Sequence, residues 1–338
     1  SEHSFPTRRS SDLKALNITQ YTGIDGLQYQ DVPEPTPGPG QVTIRAEYAG
    51  VGYVDALLAE GMAELPLPWA PGIEAAGRIH ALGEGVTGLR VGDKVAAPLT
   101  LLGSGGGFGQ ICLAQANLVA PLPAGMNPAL AAVVPANTPT ALAALERTAR
   151  LQPGEHVLVQ AAMGGLGTQF GQVAKLMGAG KVVGIVSTEE KRQLALDLGY
   201  DEVWLRNELA DKSGRQFDVI IDPVSGRNRP ELLKLLRFEG RLIVVGNAAQ
   251  DGDQAVGTNT FWFDGISMMG FNIGLLSNAY PDISTAYLRR ALALVASGEV
   301  TVPIQEEVDI RDGAQALERL RAGKTIGKFV FRHEPYGE

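Results

Sequence analysis

The chain has 338 residues, long for a single hydrophobic core, so two domains are expected. With 45% apolar and 20% charged residues it reads as globular, and no apolar run is long enough to span a membrane. A formal charge of −8 without a basic stripe argues against a nucleic-acid partner, while a single cysteine, Cys112, excludes an internal disulfide framework and fits a cytoplasmic protein.

The first thirteen residues are polar and turn-rich, and differ from everything after them. They resemble the translation of a DNA-sequencing adapter. That predicts a non-native tail (1-13) on a gene assembled from metagenome DNA, to be left out of fold reasoning; the alternative is an unusual natural N-terminal tail. From Lys14 to about Val134, short alternating strands such as Gln41–Ala49, Gly77–Leu82 and Lys94–Ala97 lie between Gly and Pro. The proline-rich run 31–40 can form neither a helix nor a central strand and reads as a stiff loop. A partly open β-barrel is predicted for this half.

The stretch Val157–Gly167 then reads as a buried strand entering a glycine turn that opens a helix over Thr168–Met177. Such turns bring backbone N–H groups and the positive end of a helix to the pyrophosphate of a dinucleotide. Ala162 replaces the first glycine of the usual motif, leaving Gly164, Gly165, Leu166 and Gly167 to complete it. Strands at Lys181–Ser187, Glu202–Leu205, Phe217–Asp222, Gly240–Gly246 and Gly265–Ile273 follow, with helices at Glu189–Leu198 and Arg229–Leu236. Strand–helix alternation of this kind predicts a doubly wound parallel sheet, the Rossmann class of α/β fold. After it come a helix near Tyr287–Ser297, a strand near Pro303–Val308, a helix over Arg311–Ala322 and the strand Gly327–Phe331.

The end of the second strand speaks to the cofactor. An NAD site usually carries Asp or Glu there for the ribose hydroxyls. Here the strand ends at Ser187 and Thr188, with Lys191 and Arg192 close behind and Arg206 past the third strand. A small hydroxyl and cations suit a ribose 2′-phosphate, which points to NADPH; the alternative is that these are ordinary solvated helix charges.

The segments Pro33-x-Pro-x-Pro-Gly-x-Gly40, Gly50–Asp55, Pro71–Gly77, Val91–Val95, Ala161–Gly167 and Gly327-Lys328 together resemble the medium-chain dehydrogenase/reductase superfamily. Within it the chain is similar to the zinc-independent quinone oxidoreductase group. The resemblance implies a GroES-like catalytic domain (14-136 and 279-338) and a Rossmann NADPH-binding domain (137-278), with nicotinamide and substrate in the cleft between them. Zinc-dependent members place Cys where Gly52 stands and His where Ile73 stands, and carry a four-cysteine lobe absent here, so no metal site is expected. Without a Lewis acid, hydride transfer to a quinone or to the activated C=C bond of an enone is the expected chemistry.

By the same resemblance Tyr53, Asp55, Asn137 and Thr140 are the catalytic candidates: Tyr53 as oxyanion donor or pocket wall, Asp55 as an orienting acceptor. Ala162, Val224, Gly246, Asn247, Phe271, Asn272, Gly327 and Lys328 join the glycine turn, Ser187, Lys191 and Arg206 as cofactor contacts. Gly61-Met-Ala-Glu64 lacks the tyrosine some enoyl reductases carry there, which weakens fatty-acyl enoyl reduction. Phe261-Trp262-Phe263 walls a substrate pocket or, preferably, packs a homodimer interface made by pairing the last sheet strand. Two further readings stay open: a zinc-free alcohol or sugar dehydrogenase, and an NADPH-binding protein with a structural or regulatory role.

Other motifs carry little. Gly323-Lys324-Thr325 lacks the glycine pattern of a P-loop, and Gly103-Ser104-Gly105 lacks the elbow of a serine hydrolase. His80 and His156 read as structural.

Overall fold

The computed structural model describes residues 13–99, 105–252 and 254–335. They form two compact units. One runs to Pro135 and takes in Glu306–Lys324 and the segment from Phe329; the other holds Ala136–Gln305 and Thr325–Lys328.

The first unit opens with β1 (Leu13–Ile18) and β2 (Leu27–Val32), an antiparallel pair. Then come β3 (Gln41–Val51), α1 (Tyr53–Ala59), β4 (Glu74–Leu82), β5 (Lys94–Pro98), β6 (Ile111–Gln115), β7 (Ala120–Pro121) and α2 (Pro128–Ala132). β1 starts at Leu13, which is buried, so the strand claims the last residue assigned to the tail; residues 1–12 lie outside the described residues, as do Gly103 and Ser104. The stiff loop likewise begins only after Val32.

The second unit holds α3 (Asn137–Ala143), β8 (His156–Val159), α4 (Gly167–Leu176), β9 (Lys181–Val186), α5 (Glu189–Asp197), β10 (Glu202–Leu205), β11 (Phe217–Asp222) and α6 (Arg229–Lys234). β12 (Leu236–Val244), α7 (Thr258–Asp264), β13 (Ser267–Gly270), α8 (Ile273–Ala279) and α9 (Pro281–Ser297) complete it. Its six strands run parallel in the order β10-β9-β8-β11-β12-β13. That is the doubly wound order, whose switch point falls between β8 and β11 and where ligands bind at the carboxyl ends of the strands. Leu158, Val183, Ile185, Ile220 and Leu242 form the sheet core.

β14 (Ile304–Asp309), α10 (Gly313–Arg321) and β15 (Lys328–Arg332) close the chain's path, and the sheet order β14-β15-β3-β4-β5-β7, with β6 on β3, is open. Phe108 and Phe331 pack with ring centroids 4.8 Å apart within the core of this first unit.

Two expectations need correcting. The return to the first unit comes at Glu306, not at 279, because α9 buries Leu288, Ala291, Leu292 and Val295 and packs on α3 and α8. The strand expected over Gly265–Ile273 shrinks to β13. Gly265 ends α7 in a left-handed conformation (φ 61°), and the Asn272 side chain caps α8, so neither end can extend the strand.

Candidate active site

After β8 the chain turns sharply, with Ala161 in the left-handed region at φ 50°. Ala162 is buried and donates its N–H to the Ile185 carbonyl of β9 at 3.0 Å. A Cβ on Gly167 would lie 2.2 Å from the Ala161 carbonyl oxygen, so only glycine lets α4 start this close to the strand end. The turn closes through Gly164 N–H to the Ala161 carbonyl (2.8 Å) and Thr168 N–H to the Gly164 carbonyl (3.0 Å). The N–H groups of Leu166 and Gly167 find no acceptor among the described residues. Two donors in succession at the head of a ten-residue helix make a cradle for an anion.

Gly327 meets this turn, donating its N–H to the Met163 carbonyl at 2.9 Å and bridging Gly164. A Cβ on Gly165 would lie 2.8 Å from Lys328 Cδ and 2.9 Å from Asn137 Nδ2. The fold therefore gathers Asn137, Gly164, Gly165, Gly327 and the buried Lys328 around one turn. From α4, the Gln169 and Gln172 amides hold the Thr301 carbonyl at 3.1 and 2.8 Å, and the Pro303 carbonyl accepts from Lys328 N–H at 2.9 Å.

At the end of β9, Ser187, Leu205, Arg206 and Asn207 line a hollow of about 410 Å³. Burial, and then the Arg206 cation, hold the Lys191 ammonium below its ordinary basicity. Two cations near enough to disfavour one another mark a place that an anion would stabilise. Arg192 is turned aside, paired with Glu208 at 2.6 Å and Glu189 at 3.4 Å, so its charge is already compensated. Asn207 escaped sequence reasoning; its only signal was adjacency to Arg206.

Beyond β11 and β12, a buried network was also missed. Asp222 Oδ1 accepts from Gln160 Nε2 (2.8 Å), Val224 N–H (3.1 Å) and Ser225 N–H (2.7 Å). Its Oδ2 accepts from Arg229 Nε at 3.1 Å, both side chains being buried. Ser225, at φ 63°, donates to the Gly246 carbonyl at 2.7 Å and accepts from Arg229. Val224 and Gly246 are thus fixed by a carboxylate at the end of β11. Asn247 is exposed, Phe271 N–H bonds the Val244 carbonyl at 2.9 Å, and Asn272 Oδ1 is taken by Leu275 N–H at 3.1 Å.

In the first unit, the phenol oxygen of Tyr53 accepts from Arg321, which also pairs with Glu60 at 2.6 Å. Asp55 is fully buried, its oxygens accepting from Gly52 N–H (2.8 Å) and Gly72 N–H (3.0 Å). In the second, the Thr140 hydroxyl donates to the Ala136 carbonyl at 2.6 Å, one turn back in its own helix. Among the described residues no group of three or more His, Cys, Asp or Glu side chains could hold a metal, and no helix is long and apolar enough to cross a membrane.

Comparison with known proteins gives the family. Residues 38–124 match the alcohol dehydrogenase GroES-like domain, and residues 165–290 match the zinc-binding dehydrogenase family. The quinone oxidoreductase of Rattus norvegicus is 34% identical over 244 residues, covering 69% of this chain and 73% of that protein. A phthioceranic/hydroxyphthioceranic acid synthase of Mycobacterium tuberculosis is 30% identical over 304 residues, 87% of this chain; the chain spans only 14% of the synthase. Among solved structures, a mycobacterial protein complexed with NADPH superposes with a TM-score of 0.85 at 26% identity, over 95% of this chain and all (100%) of that one. A quinone oxidoreductase of Pseudomonas syringae gives 0.85 at 27% identity, over 95% and 99%. The chain belongs to the medium-chain dehydrogenase/reductase superfamily, in its quinone oxidoreductase-like group.

Proposed function

We propose that the protein is an NADPH-dependent, zinc-independent reductase of quinones or of the activated C=C bond of enones. The observation that carries the cofactor assignment is the hollow at the end of β9, walled by Ser187, Arg206 and Asn207 beside Lys191 and holding no carboxylate among those residues. A ribose 2′-phosphate brings nearly two negative charges and oxygens that such donors satisfy. The pyrophosphate suits the free N–H groups of Leu166 and Gly167, with Asn137 and Lys328 beside the turn. When bound, the cofactor supplies a hydride.

The chain's own part is alignment and charge stabilisation. Asp222, through Ser225 and Arg229, fixes Val224 and Gly246 at the carboxyl edge of the sheet. Tyr53 serves as hydrogen-bond donor to the oxyanion that develops on the reduced substrate. Arg321, donating to the phenol oxygen, draws electron density from it and strengthens its O–H as a donor. Asp55 braces the start of α1. The proposed chemistry runs no step through a metal, since Gly52 and Ile73 stand where zinc-dependent members carry Cys and His. A second copy of the chain is proposed to cover β13, the sheet's edge strand, where Trp262 and Phe263 of α7 are 75% and 73% exposed.

The test is NADPH consumption by metal-stripped protein against enones, quinones and ketones, with NADH alongside. Turnover of enones or quinones, with NADPH preferred, supports the reading. Turnover of ketones alone, or only after zinc is restored, sinks it.

A further inference from the structure

Tyr200 follows α5 and is not among the cofactor contacts named above, yet it reaches the head of α4. Its hydroxyl donates to the Gly167 carbonyl at 2.7 Å. The ring occupies a slot that exists only because two neighbours are glycine. A Cβ on Gly171 would come 2.5 Å from Tyr200 Cζ, and one on Gly184 would come 3.0 Å from Tyr200 Cδ1. Burial pushes the pKa of the phenol well above its ordinary value, so the group stays neutral and remains a donor.

A buried apolar ring would fill this slot without the cost of desolvating a hydroxyl. The hydroxyl is spent on one peptide, the unit joining Gly167 to Thr168. That peptide carries the Thr168 N–H that closes the turn on Gly164, at 3.0 Å. A donor on its carbonyl strengthens the N–H on its other side, because hydrogen bonds in series polarise one another. The residue so fixed, Gly167, bears one of the two free N–H groups of the anion cradle.

We propose that Tyr200 is a positioning residue for the dinucleotide pyrophosphate, setting the first turn of α4 so that the Leu166 and Gly167 N–H groups converge on one anion. This rests on the NADPH reading above. The ligand class it governs is any nucleotide carrying a 5′-pyrophosphate; the 2′-phosphate hollow at Ser187 and Arg206 is independent of it.

The experiment titrates the full chain with two probes, NADPH followed by its fluorescence and adenosine 2′-phosphate followed by calorimetry. Adenosine 2′-phosphate carries the 2′-phosphate and no pyrophosphate. Tyr200→Phe keeps the ring and deletes the bridge. Its NADPH dissociation constant is expected to rise about tenfold, the effect of one well-placed hydrogen bond. Its affinity for adenosine 2′-phosphate stays within about twofold, and kcat at saturating NADPH stays close to that of the unmutated protein while KM rises. Gly171→Ala, which drives the ring from its slot, should give the same split. Equal weakening of both probes, or of neither, overturns the inference: the first means general damage to the unit, the second that the hydroxyl is mere packing. If the unmutated protein binds adenosine 2′-phosphate but not NADPH, or neither, the cofactor reading itself fails before any variant is made, and the inference falls with it.

Discussion

The methyl group of Ala162 occupies space that residue 184, on the neighbouring strand, leaves open by being glycine: a Cβ there would lie 2.7 Å from Ala162 Cβ. The first position of the dinucleotide turn tolerates alanine because the cost has been moved one strand away. Gly184→Ala should therefore destabilise the second unit by about 1–3 kcal/mol, the usual cost of overpacking. Combining it with Ala162→Gly should recover part of that loss, Tyr200 still opposing the new methyl. Denaturant unfolding of the four proteins in the cycle measures the coupling, and strict additivity would falsify the shared-space account.

Cofactor choice should be separable from cofactor binding. Arg206→Ala removes a cation from the hollow after β9, and should raise the NADPH dissociation constant about ten- to a hundredfold while leaving NADH within about twofold. Lys191, relieved of its neighbour, should also titrate closer to its ordinary value. Fluorescence titration with both nucleotides decides it, and parallel losses would mean Arg206 has no part in reading the 2′-phosphate.

His333 makes the first unit acid-sensitive. The ring is buried, with Nε2 donating to the Gly107 carbonyl at 2.8 Å and Nδ1 unpartnered among the described residues. Burial pushes its pKa down to about 4, from 6.5. The unfolded chain therefore binds the proton first. The stability due to the neutral ring is complete above pH 6.5 and is lost as pH falls toward 4, by roughly 3 kcal/mol in all. The denaturant midpoint should fall further between pH 7 and pH 4.5 in the unmutated protein than in His333→Gln. An equal fall in both would show that the imidazole titrates as though exposed.

Asp55→Asn leaves one oxygen to serve two backbone donors, those of Gly52 and Gly72. An unmet buried N–H costs about 1–3 kcal/mol, so the variant should unfold earlier while the folded fraction keeps its activity within about threefold. A kcat loss of a hundredfold in fully folded protein would make Asp55 a proton carrier instead of a brace.

The parallel sheet was legible because its strands are short β-branched runs set off by glycine, and the order of βαβ units leaves few topologies. The glycine turn was legible because a helix that starts this close to a strand end has room only for glycine, and Ser187 and Arg206, singled out by residue type near two strand ends, line one hollow. What stayed hidden depends on contacts distant in sequence. Nothing near Tyr200 hints that Gly171 and Gly184 make room for it. Asp222 reads as the polar end of a strand until Gln160 and Arg229 are seen to share it. The domain return was misplaced because α9 is an amphipathic helix of seventeen residues, and amphipathicity says that a face is buried without saying against what.

The contact between Gly327 and Met163 has a consequence for how the protein is made. All six strands of the parallel sheet are translated by residue 270, but the glycine turn proposed to receive the dinucleotide lacks one wall until residues 325–328 emerge. A nascent chain can therefore own a complete sheet while its binding loop is still half-built. A ribosome stalled short of residue 325 would display the six-stranded sheet without the contact of Gly327 to Met163.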